Sequence, residues 1–118
     1  MSYTIHIFAH THWDREWYFT TSRSKVYLMK EISDVLDTVE NENDFAAFLI
    51  DGQSSLLDDY LAWRPQDEIR IKNAIHSRKL LVGPWYTQCD QLIISAESVV
   101  RNLYYGITRA RELGHCMM

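Results

Sequence analysis

The sequence predicts an α/β fold of parallel strands joined by crossover helices, about three to four strands long. Three observations carry this. Short apolar runs alternate with longer segments of helical periodicity, the order expected of parallel strands with helical crossovers. Each apolar run ends in polar residues or a Gly-Pro pair. The composition, 47% hydrophobic and 13% aromatic over 118 residues, is that of a folded chain and too aromatic for a disordered one. A full α/β barrel needs roughly 200 or more residues, so any barrel-like architecture is present here only as an incomplete portion.

The elements follow in order. Tyr3 to Ala9 is apolar and rich in β-branched and aromatic residues, and reads as the first strand. A polar, aromatic loop runs from His10 to about Ser24. A helix is expected from Lys25 to Asn41, with Val26, Met29, Ile32, Leu36 and Val39 as its apolar stripe. Asp44 to Ile50 is continuously apolar after its first residue and reads as a strand buried on both faces. A short helix then turns Leu56, Leu57, Tyr60 and Leu61 inward.

Pro65 suits a first helical turn, and Asp67 and Glu68 suit that turn's positive end. Ile69, Ile71 and Ile75 carry this helix to Ser77. Leu80 to Val82 is the third strand, ended by Gly83-Pro84. Ser95 is an expected N-cap with Glu97 in the first turn. Val99, Val100, Leu103, Tyr104, Ile107 and Ala110 form the last apolar stripe, and Gly114 closes that helix. Cys116-Met117-Met118 reads as the opening of a fourth strand.

Composition excludes some partners. Twelve basic against sixteen acidic residues give a net charge of −4, which argues against nucleic acid or an anionic membrane held by bulk charge. No window approaches the ~18 apolar residues of a membrane span, and the N-terminus does not read as a signal peptide. Cys89 and Cys116 make no disulfide framework and fit a reducing, cytoplasmic setting. The sequence leaves assembly open.

Polar clusters follow each strand: His10 to Asp14, Asp51 to Gln53, and Trp85 to Asp90. Parallel α/β folds bind ligands at the carboxyl ends of strands, so the three clusters are expected on one rim. In an extended segment alternate side chains share a side, so His10, His12 and Asp14 can face one point. Two imidazoles and a carboxylate are donors that zinc accepts. Trp13, Trp17 and Tyr18 flank them, and aromatic faces suit the C–H faces of a sugar; packing of the loop is the competing role, favoured for Trp13. Asp51, Gln53 and Asp90 are rim candidates for orienting hydroxyls or ligand side chains, or for capping. Arg15 with Asp14 and Glu16 suits a local ion pair. Arg101 and Asn102 read as solvated or as bracing the loop.

His10-Thr11-His12-Trp13-Asp14-Arg15-Glu16-Trp17 resembles the N-terminal motif of glycoside hydrolase family 38, the zinc-dependent retaining α-mannosidases. The resemblance continues through Leu49 to Gln53, Asp59 to Leu61, Val82 to Gln88 and Ala96 to Leu103. Its wording is most similar to the bacterial branch that includes mannosylglycerate hydrolase, acting on α-mannosyl-glycerate or its 6-phosphate.

The resemblance implies that residues 1–118 form the N-terminal part of a barrel-like catalytic domain. It implies Zn²⁺ held in part by His12 and Asp14, with His10 outside the ligand set, and Trp17 lining the sugar subsite. The substrate implied is a small α-mannoside. Retaining hydrolysis uses two carboxyl groups about 5–5.5 Å apart. The family's nucleophile lies in a PDxFG-like motif, which this sequence does not contain. Nucleophile and acid/base are therefore expected beyond Met118, and this chain alone is expected to be inactive. Two alternatives stand beside this: an amidohydrolase-like metal hydrolase using both histidines, and a non-catalytic mannoside-binding remnant.

Overall fold

The computed structural model describes residues 2–118. Among these residues a three-stranded parallel sheet, ordered β1-β2-β3, is joined by four helices. They run β1 (Ala9–Thr11), α1 (Thr21–Asn41), β2 (Phe48–Ile50), α2 (Ser55–Leu61), a 3₁₀ turn (Pro65–Asp67), α3 (Glu68–His76), β3 (Leu80–Leu81) and α4 (Ala96–Leu113). The α/β class and the parallel order are as the alternation predicts.

The first strand is displaced from its expected place. Pairing joins Ala9, His10 and Thr11 to Phe48, Leu49 and Ile50. Ile5, Ile7 and Phe8 lie exposed outside the sheet. β-propensity becomes a strand only where a neighbour supplies the ladder, and β2 supplies it only from Ala9, six residues after the apolar run begins. His10 and Thr11 are therefore strand residues.

The second strand is shorter than expected, and Phe48 and Leu49 are only half-buried. Its burial on both faces is not realised; only Ile50 is fully enclosed.

Thr20 caps α1 by accepting from the Arg23 N–H, so the helix starts four residues earlier than its apolar stripe suggests. Its buried face is Leu28, Ile32, Val35, Leu36 and Val39, and Val26 is exposed. These residues meet Leu56, Leu57 and Tyr60 of α2, Ile71 and Ile75 of α3, and Ile50, Leu80 and Val82 from the strands. Of the three isoleucines that carry α3, Ile71 and Ile75 are buried and Ile69 is exposed. Arg70 of α3 clamps α1 through Asp37 and Glu40, each at 2.6 Å.

Ser95 caps α4 by accepting from the Ser98 N–H at 3.2 Å, and Gly114 closes it with a positive φ of 148°. The buried face of α4 is Gly106, Ala110 and Leu113, while Val100 and Tyr104 are exposed. Cys116 to Met118 forms no strand, yet the Met117 N–H donates to the Val82 carbonyl at 2.8 Å, beside β3. No helix of the described residues is long and apolar enough to cross a membrane.

Candidate functional site

The segments after β1, β2 and β3 meet at the carboxyl end of the sheet, as the rim expectation requires. Asp51 begins the turn after β2 with a positive φ of 36°, followed by Gly52 at 66°. This turn aims the Asp51 carboxylate at the loop after β1. The carboxylate accepts from the Trp13 N–H at 3.1 Å, while Gln53 Nε2 donates to the Trp13 carbonyl at 3.1 Å and to Asp51 at 2.8 Å. Both backbone polar groups of Trp13 are thereby fixed. Its neighbours His12 and Asp14 are held on either side of an anchored peptide.

His12 Nε2 lies 3.7 Å from Asp14 Oδ2, and His12 Nδ1 lies 3.4 Å from Asp51 Oδ1. The first two side chains are half or more exposed, whereas the Asp51 side chain is only 9% exposed. The Gln88 amide, turned so that its nitrogen donates, lies 2.8 and 3.0 Å from the two Asp51 oxygens. Asp51 thus gathers donors from all three post-strand segments. Sequence reasoning passed over Gln88, because the contact spans 37 residues of chain.

His10 does not join His12 and Asp14. It is exposed, with Nδ1 against the Thr11 carbonyl at 3.1 Å. The expected convergence of His10, His12 and Asp14 fails because the extended segment ends at Thr11. Among the described residues no three His, Cys, Asp or Glu side chains form a group able to hold a metal ion. An imidazole nitrogen and a carboxylate oxygen fit two positions of a zinc shell, whose ordinary complement is four. Asp90 is exposed and accepts from the Leu92 N–H at 3.0 Å. With Gln88 and Cys89 it lines a cavity of about 260 Å³ that also touches His12, Trp13 and Asp14.

A second cavity of about 410 Å³ shares His12, Trp13 and Asp14 with the first and is lined further by Trp17, Tyr18, Phe19 and Tyr27. Trp17 is 72% exposed there, edge-on to Tyr18, whereas Trp13 is half-buried against the core. Arg23 lies 4.6 Å over the Phe19 ring and bonds the Tyr27 hydroxyl at 3.1 Å, which fixes the aromatic wall. Arg15 forms no local pair with Asp14 or Glu16 but reaches Asp59 of α2 at 2.7 Å. Lys25 of α1 meets the same carboxylate at 3.2 Å. The aromatic loop is thereby tied to both helices.

Residues 2–117 match the glycosyl hydrolases family 38 N-terminal domain. The chain belongs to glycosyl hydrolase family 38. It is 40% identical over 114 residues to a Halalkalibacterium halodurans protein named "Putative mannosylglycerate hydrolase", covering 97% of this chain and 13% of that one. The crystal structure of an alpha-mannosidase from Enterococcus faecalis superposes with a TM-score of 0.90 at 39% identity, over 93% of this chain and 12% of that one. A second family 38 protein from Enterococcus faecalis superposes with a TM-score of 0.85 at 35% identity, over 94% of this chain and 13% of that one. This family 38 chain therefore spans about an eighth of the length of the relatives it matches.

Proposed function

We propose that residues 1–118 are the N-terminal part of a barrel-like catalytic domain that hydrolyses α-mannosides with retention. In this reading the chain contributes two zinc donors, His12 Nε2 and Asp14 Oδ2, and the sugar-facing Trp17. The observation that carries it is the juxtaposition of His12 and Asp14, 3.7 Å apart, on the aromatic cavity of a family 38 chain. When bound, Zn²⁺ supplies Lewis-acid contact to sugar hydroxyls. The chain's own residues do the rest. Asp51 and Gln53 hold the Trp13 peptide so that His12 and Asp14 stay together. Trp17, Tyr18 and Phe19 offer apolar faces of the kind that stack on a sugar ring.

The mannosylglycerate-type substrate, plain or phosphorylated, is supported by the relative's name alone. Both cysteines are free, which supports a reducing, cytoplasmic setting. The amidohydrolase-like alternative, with His10 as a ligand, is disfavoured by family membership and by the turn of His10 toward Thr11.

The test is a Zn²⁺ titration of the chain against a chromophoric chelator, with His12→Ala and Asp14→Ala alongside. Each variant is expected to weaken binding by more than the roughly 10–100-fold that changes outside the ligand set cost. Equal affinity in all three proteins overturns the ligand assignment. No release is expected from an aryl α-mannoside, because the family's nucleophile motif is absent from these residues. Zinc-dependent turnover by this chain would sink that part of the reading.

A further inference from the structure

A histidine that binds a metal through one ring nitrogen must keep the lone pair there and carry its proton on the other. Which nitrogen is protonated is set by the partner that the other nitrogen meets. Free neutral imidazole side chains in water favour the proton on Nε2, which leaves that atom without a lone pair to give. His12 is exposed enough for water to impose this preference unless a protein group opposes it.

The structure places one such group. Asp51 Oδ1 stands 3.4 Å from His12 Nδ1, a few tenths of an ångström beyond a formed N–H···O bond. Bonds of this kind in unliganded sites commonly tighten when the ligand arrives. The carboxylate is well placed to accept because it is itself immobilised. Its Oδ2 accepts from the Trp13 N–H and from Gln53, its side chain is nearly buried, and its backbone is fixed by a tight turn with positive φ. Oδ2 serves the loop and the turn, Oδ1 faces His12, and the Gln88 amide nitrogen reaches both oxygens, at 2.8 and 3.0 Å.

We propose that Asp51 is a positioning residue that holds His12 as the Nδ1–H tautomer, leaving the Nε2 lone pair directed beside Asp14. This rests on the metal reading above for its purpose, but not for its test. A carboxylate can only accept, so Asp51 can only favour a proton on Nδ1. Asp51→Asn changes the chemistry of this side chain at nearly constant shape, and Gln88 can follow by presenting its amide oxygen in place of its nitrogen. Asn is among the residues best tolerated at positive φ. The Trp13 N–H and Gln53 donors at Oδ2 keep the amide oxygen on their side and so turn its NH₂ toward His12. An NH₂ donates, which reverses the preference and moves the proton to Nε2.

The experiment is a long-range ¹H–¹⁵N spectrum of the ¹⁵N-labelled, metal-free chain at about pH 8.5, well above the ordinary imidazole range. The wild-type chain is expected to show His12 protonated mainly on Nδ1. Asp51→Asn is expected to show it mainly on Nε2, and Asp14→Ala to keep the wild-type tautomer. A wild-type His12 protonated on Nε2 overturns the proposal without any variant. So does an unchanged tautomer in a folded Asp51→Asn chain, or a tautomer that follows Asp14. In the chelator titration Asp51→Asn should bind Zn²⁺ about 10–100-fold more weakly. If the wild-type chain takes up no zinc while the tautomers behave as stated, the metal reading fails and the positioning role stands.

Discussion

Tyr60 shows how a single buried polar contact governs stability in this chain. Its side chain is fully enclosed, and its hydroxyl donates to Asp67 Oδ2 at 2.6 Å. Burial, and then the bond to the Asp67 carboxylate, push its pKa up from 10.0 to about 12. A phenol whose folded pKa is raised contributes stability that is intact below the unfolded value. That stability is lost as pH rises through the folded one. The stability curve should therefore be flat on this account through neutral pH and fall between about pH 10 and 12. Tyr60→Phe should cost about 1–3 kcal/mol at neutral pH, because Asp67 loses a donor in a buried place. It should also flatten the alkaline fall. Urea midpoints of both proteins across that pH range provide the check, and parallel alkaline falls would count against the assignment. Tyr60 was legible in the sequence as an inward residue of α2. Its partner was not: Asp67 reads as a charge at a helix start, and only the 3₁₀ turn at Pro65–Asp67 folds it back onto Tyr60.

Helix α4 matches its sequence reading at both ends and in part along its length: Ala110 is buried and Ile107 packs on the core, while Val100 and Tyr104 are exposed. Ser95 and Gly114 act locally, through bonds within a few residues, so the sequence contains their full signal. The apolar stripe depends on what the helix packs against, which here is in part the backbone of the loop after β3. A Cβ on Gly106 would stand 2.2 Å from the Trp85 carbonyl carbon and 2.3 Å from both the Pro84 oxygen and the Tyr86 nitrogen. None of these is a side chain that can swing away. One turn earlier, Asn102 Oδ1 accepts from the Tyr86 and Thr87 N–H groups at 3.0 and 2.9 Å, and its amide donates to the Thr87 carbonyl. Asn102 braces the loop, while Arg101 pairs with Glu97 in solvent. Gly106→Ala should thus destabilise the chain by about 3 kcal/mol or more, at the upper end of overpacking costs. Asn102→Ala should cost roughly 1–3 kcal/mol by leaving the Thr87 N–H and carbonyl without their partner, while the Tyr86 N–H keeps the Asn102 backbone carbonyl at 3.2 Å. Hydrogen exchange distinguishes the two, since Asn102→Ala should speed exchange at Thr87 while leaving α1 protected. Wild-type protection at Thr87 in that variant would remove Asn102 from its bracing role.

Across the whole molecule, local signals and the meeting of the post-strand clusters on one rim are legible in the sequence, whereas the individual long-range contacts are not. His12-Trp13-Asp14 carries its spacing in the sequence, whereas the hub that holds it joins Asp51, Gln53 and Gln88 from later segments. The same division explains the displaced first strand. Tyr3 to Phe8 has the composition of a strand, but the ladder forms from Ala9 onward, and Ile5, Ile7 and Phe8 remain exposed. Leu92, Ile93, Val100, Tyr104 and Tyr105 are exposed as well. Isolated apolar residues on a surface are ordinary, but runs of large ones drive association when nothing covers them. A net charge of only −4 over 118 residues gives weak electrostatic opposition. The chain purified by itself is therefore expected to self-associate with rising concentration, and to do so more strongly in high salt, where charge repulsion is screened. Sedimentation velocity over a concentration series reads this directly. Replacing Ile5, Ile7 and Phe8 together by Ser should shift the distribution toward monomer without altering the folded core, since these side chains lie outside it. A wild-type chain that stays monomeric across the series, in low and high salt alike, would mean that these exposed side chains do not drive association.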